Sequence, residues 1–81
     1  MLGEYLKKVM QKHDITQSQL AAHVGVTRSA ACYWLQGKRT PNLRILDDLI
    51  KYVTTATGRS RRIITLEIME AVFFDVSAEV A

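Results

Sequence analysis

The chain has one cysteine, one proline, one tryptophan and four glycines in 81 residues. The lone thiol, Cys32, excludes an internal disulfide framework and fits the reducing cytoplasm. With His13 and His23 it forms a scattered set that makes a poor zinc site, so no metal and no other cofactor is expected. No apolar run approaches the roughly 20 residues of a membrane span. The first turn holds Glu4 and no long apolar stretch follows it, so no signal peptide is expected. Catalytic constellations are missing too: there is no Ser-His-Asp set, no phosphate-cradling glycine loop, and no evident pair of carboxylates in a cleft. These absences argue against an enzyme.

What is present is a lopsided charge. All 11 Lys and Arg lie in residues 1–62, against Glu4, Asp14, Asp47 and Asp48. Residues 63–81 carry only acids: Glu67, Glu70, Asp75 and Glu79. A basic body with an acidic, apolar tail suggests two surfaces, one for a polyanion and one for another partner.

The hydrophobic pattern reads as helix throughout, in one domain. Leu2, Leu6, Val9 and Met10 recur at helix spacing, and that helix should fade at His13-Asp14. Thr16 then opens a second helix, with Gln19 placed for a capping box and Ile15 with Leu20 for a hydrophobic staple. Gly25 stops it after about two turns. Thr27 caps a third helix almost at once, running to about Gln36 and ending at Gly37. Two short helices joined so tightly cross steeply, which is helix-turn-helix geometry. Lys38 to Asn42 form a polar loop, and Asn42 caps a fourth helix. That helix carries Leu46, Leu49, Ile50 and Val53 inward and an Asp47–Lys51 pair outward. Thr54, Thr55 and Thr57 are weak helix formers, so it should fray before Gly58. The last segment, Ser60 to Val76, reads as helix, with a short dimerising strand as the alternative. As a helix its apolar residues cover more than one face, so part of it should meet a second partner.

Residues 15–46 resemble the helix-turn-helix of the phage lambda repressor and Cro family, the XRE-like regulators. The resemblance rests on Thr16-Gln17, Leu20-Ala21, Val24-Gly25-Val26-Thr27, the inward pair Ala31 and Trp34, then Gly37-Lys38 and Pro41. It implies an all-α bundle of about five helices whose third lies in the DNA major groove. It also implies dimers on operators with two-fold symmetry. Residues 1–58 form the DNA-binding core on this reading, and 59–81 are a dimerisation element of the same domain. Gln17 matches the phosphate-contacting residue of helix two. Thr27, Arg28, Ser29, Cys32 and Tyr33 fall at exposed positions of the recognition helix. Lys38, Arg39, Asn42, Leu43 and Arg44 match the loop that contacts the backbone. Met10 and Leu35 stand where many members pair a buried arginine with a glutamate.

Each residue has a chemical reason for its place. Alanine and cysteine let a helix backbone approach DNA within a groove about 12 Å wide. Arg28 can give two parallel donors to guanine N7 and O6. Ser29 and Tyr33 can donate or accept, and are weaker specifiers. Lys38, Arg39 and Arg44 set register and affinity rather than sequence. Trp34 belongs to the core. Cys32 reads as a small groove residue rather than a redox switch, and His13 and His23 as solvated. The expected function is a double-stranded DNA-binding transcriptional regulator, a Cro- or repressor-like homodimer in the cytoplasm. Leu66, Met69, Val72 and Phe73 are the expected dimer contact. An antitoxin that neutralises a partner protein, or a restriction–modification controller, is the alternative.

Overall fold

The computed structural model describes residues 1–80, with side chains described for residues 1–77. Five helices follow one another: α1 (Leu2–Lys12), α2 (Gln17–Val24), α3 (Arg28–Leu35), α4 (Leu43–Thr57) and α5 (Arg61–Val80). Residues 61–76 are helical, so the strand alternative is set aside.

The helix boundaries follow local chemistry. α1 closes where Asp14 takes a positive φ of 54°, a conformation that aspartate tolerates better than most residues. The Thr16 hydroxyl accepts from the Gln19 amide at 3.1 Å, and the Gln19 side chain accepts from the Thr16 amide at 2.9 Å. This is the expected capping box. Gly25, at φ 77°, stops α2 with its amide on the Ala21 carbonyl at 2.9 Å. Only Gly25, Val26 and Thr27 separate α2 from α3.

α4 continues past the point where fraying was expected. Two of its three threonines return their hydroxyls to the backbone: Thr55 donates to the Lys51 carbonyl at 3.0 Å and Thr57 to the Val53 carbonyl at 2.7 Å, whereas the buried Thr54 hydroxyl has no partner. With its lower face packed on the core and Gly58 as stop, the helix outlasts its weak propensity.

Every helix contributes to one core. Leu2 and Leu6 meet Leu20, Ala21 and Val24 from α2 and Ala31, Trp34 and Leu35 from α3. Leu46, Leu49, Ile50 and Val53 of α4 and Ile64, Ile68 and Val72 of α5 complete it. α2 packs on α3 and α4, while α1 bridges α3 and α5. Val72, expected in the dimer contact, is therefore corrected: it is buried in the chain's own core, 100° or so around the helix from the exposed Phe73.

Side-chain bonds also tie α5 to the rest. Glu67 holds Arg59 through two parallel bonds of 2.9 and 3.0 Å and accepts from the Tyr5 hydroxyl at 3.0 Å. Burial, then the hydrogen bond and charge of Glu67, push the Tyr5 hydroxyl up to about 12. Asp75 accepts from the Leu2 amide at 3.0 Å and pairs with the Met1 amino group, capping α1 from across the bundle.

Candidate nucleic-acid interface

The third helix presents two chemically distinct sides. The Thr27 hydroxyl caps it, accepting from the Ala30 amide at 3.2 Å. Ala31, Trp34 and Leu35 face inward and are buried. Arg28, Ser29 and Tyr33 are exposed, as is Thr27. Cys32 is half-buried, and its sulfur accepts from the Gln36 side-chain amide at 3.2 Å.

A close backbone contact seats the helix from behind. A β-carbon built on Gly3 would fall 2.5 Å from the Leu35 carbonyl oxygen and 2.8 Å from that of Trp34. Only a hydrogen at this position lets α1 lie so near the end of α3. Sequence reading missed Gly3, because the residue it approaches is more than thirty positions away.

The exit from α3 is a Schellman turn. Gly37, at φ 74°, donates to the Trp34 carbonyl at 3.1 Å, and Lys38 donates to the Tyr33 carbonyl at 3.0 Å. The chain then doubles back, and the Arg39 guanidinium carbon sits 5.3 Å above the centre of the Tyr33 ring. Pro41 is buried, and the Asn42 side chain caps α4 by accepting from the Ile45 amide at 2.9 Å.

Between α3 and this loop lies a concavity of about 420 Å³. Five expected DNA-facing residues line it: Thr27, Ser29, Tyr33, Arg39 and Asn42. Thr40 lines it as well, a residue that sequence reading did not single out. Arg28, Cys32, Gln17, Lys38 and Arg44 are not part of its wall. Gln17 is the first residue of α2, half-buried at a helix start whose positive dipole end suits an anion.

Three of the cations are paired within the chain. Lys51, Arg59 and Arg61 are bound to Asp47 or Glu67. Among the described residues, Arg28, Lys38, Arg39 and Arg44 have no carboxylate within ion-pair distance. The same holds of Lys7, Lys8, Lys12 and Arg62, so the unpaired cations are not confined to the loop and the recognition helix. Elsewhere, His23 is not simply solvated: its ring stacks on Tyr52 at 4.6 Å between centroids, pinning α2 to α4.

On the far side, α5 divides its apolar residues between two faces. Ile64 and Ile68 are buried, whereas Leu66 and Phe73 are 63% and 67% exposed. Met69 is half-buried against the core. Phe74, Ile63 and Val76 are exposed too. No helix among the described residues is long and apolar enough to cross a membrane.

The Helix-turn-helix family model matches residues 6–53, more than half of the chain and the whole of α2 and α3. No curated protein and no solved structure matches the chain. A Thr27-capped α3 with a basic loop at its exit, inside an all-helical bundle that this family model covers, makes the chain a member of the XRE-type helix-turn-helix family of DNA-binding regulators, the group to which lambda repressor and Cro belong.

Proposed function

We propose that the chain is a sequence-specific transcriptional regulator, Cro- or repressor-like, that binds a palindromic operator as a homodimer. α3 enters the major groove with Thr27, Arg28, Ser29, Cys32 and Tyr33 toward the bases. Arg28 is the principal reader, by paired bonds to a guanine. Gln17, Lys38, Arg39, Asn42 and Arg44 hold the flanking phosphates. The observation that supports this most directly is the split of α3 into a buried Ala31/Trp34/Leu35 side and an exposed Arg28/Ser29/Tyr33 side. A two-fold partner brings a second α3 about 34 Å away, one turn of B-DNA.

The dimer contact is the outer ridge of α5, with Leu66, Met69 and Phe73 at its centre. Two exposed side chains of this size on one helix stripe favour burial against another protein surface. An antitoxin-type partner would use the same ridge, and stoichiometric co-purification of a second protein would replace the homodimer with that reading.

Selection of binding sites from random duplexes tests the proposal. The expected consensus has two-fold symmetry, and Arg28→Ala loses preference at one position of each half-site, about 1–3 kcal/mol of discrimination. A consensus unchanged by Arg28→Ala would remove that residue from base reading. Leu66→Asp with Phe73→Ser should sediment as monomer; an intact dimer would move the contact elsewhere.

A further inference from the structure

We infer that Tyr33 is a positioning residue for Arg39. Its ring holds the guanidinium at the edge of the α3–α4 concavity, so that the two side chains meet a DNA phosphodiester as one unit. The inference rests on the major-groove reading of α3 and refines it. It assigns to the ring of Tyr33 a role of its own, acting through Arg39, beside the place that the side chain holds on the groove side of α3.

Three features place the pair. The guanidinium carbon lies 5.3 Å from the ring centre, inside the roughly 6 Å over which an aromatic face attracts a cation. The backbone delivers it there: the Lys38 amide is bonded to the carbonyl of Tyr33 itself, so the residue that follows Lys38 is held beside that ring. Both side chains also line the same concavity, together with Thr27, Ser29, Thr40 and Asn42. Beside the apolar Ala30, Trp34, Pro41 and Ile45, the remaining wall offers three hydroxyls and a side-chain amide, groups that bond a phosphate without reading sequence.

The physical gain is preorganisation. An exposed arginine samples many rotamers, and fixing it on a phosphate costs conformational entropy. A guanidinium already seated on a ring has given up part of that freedom before DNA arrives. A contact of the cation with the ring face leaves the N–H groups that do not point at the ring free for bonds to phosphate oxygens. Among the described residues no carboxylate competes for it. Tyr33 can serve as a platform because its neighbours Trp34 and Leu35 are buried and its carbonyl is engaged in the turn.

The test is a double-mutant cycle, read by fluorescence anisotropy on a random-sequence duplex over a range of salt. Arg39→Ala should weaken binding to every duplex and lower the salt slope by about one. Tyr33→Leu should weaken binding about 2- to 5-fold, the scale of an exposed cation–ring contact. In the Arg39→Ala background it should cost nothing more. Tyr33→Phe, which keeps the ring, should restore the coupling to Arg39 that Tyr33→Leu removes. Equal losses from Tyr33→Leu in both backgrounds would overturn the inference, as would a Tyr33→Phe that fails to restore the coupling. Proton NMR of the free protein supplies an arm without DNA. The Arg39 δ-methylene should be shifted upfield by the ring in the parent and in Tyr33→Phe, and not in Tyr33→Leu. Absence of that shift in the parent would refute the stack whatever the DNA result. The shift with no duplex binding at low salt would instead refute the DNA reading of the whole face.

Discussion

Gly3 is a point at which two opposed effects can be weighed. In an exposed helix, replacing glycine by alanine gains up to about 1 kcal/mol through lower backbone entropy cost. Here the added methyl would sit 2.5 Å from the Leu35 oxygen, 2.8 Å from the Trp34 oxygen and 3.0 Å from the Leu35 carbonyl carbon. All three are backbone atoms of α3, so no rotamer change relieves them. Restoring an ordinary separation of 3.4 Å or more requires α1 to back away from α3 by nearly 1 Å. Overpacking of this kind costs about 1–3 kcal/mol, and the absence of a side-chain escape puts Gly3 in the upper half of that range. After the propensity gain, Gly3→Ala should destabilise the chain by about 1–2 kcal/mol. For a domain of this size that lowers the melting temperature by about 5–15 °C. Thermal melts followed by far-UV circular dichroism, with urea titrations beside them, measure it. A variant as stable as the parent, or more so, would refute the argument, because propensity would then have outweighed a contact that does not exist as described.

Three further outcomes follow from the bonds around the core. Thr27→Ala removes the cap of α3 and should cost about 1 kcal/mol, read as a lower urea midpoint at unchanged m-value. Tyr5 ionises near 10.0 when unfolded and at about 12 when folded, so between these values the unfolded chain holds fewer protons and stability falls as pH rises. Tyr5→Phe should flatten that alkaline slope, leaving the smaller part due to Tyr52, whose hydroxyl burial also raises. Burial alone would raise Asp75, but hydrogen bonds from the Met1 amino group and the Leu2 amide, with the Met1 charge, bring it below its ordinary 3.8. Its contribution is full above pH 3.8 and is lost as pH falls below that through the folded value. Acid titration of Asp75→Asn should therefore show less loss of stability in that window than the parent.

The helix-turn-helix was legible because its signals are short-ranged. Thr16 with Gln19, Thr27 with Ala30 and Asn42 with Ile45 are all three residues apart, so side-chain type and spacing suffice to place the cap. The inward residues of α4 recur at one helical period and were legible for the same reason. The fate of α5 was not. Ile64, Ile68 and Val72 are no more apolar than Leu66, Phe73 and Val76, so no stripe in the sequence distinguishes the core side from the free side. α1 and α4 choose it by packing on one of them.

The DNA-facing residues divide in the same way. The resemblance to the lambda repressor and Cro family assigned Arg28, Ser29 and Tyr33 to one exposed side of α3 from the sequence alone, and all three are exposed. Tertiary structure decided that Gly3 seats α3, that Arg39 lies on Tyr33, that His23 rests on Tyr52, and that Val72 belongs to the interior. The physical reason is reach. Caps and helical periods are set by bonds within a turn of the chain. Contacts between separate helices depend on how five packed cylinders settle against each other, and no local run of residues encodes that arrangement.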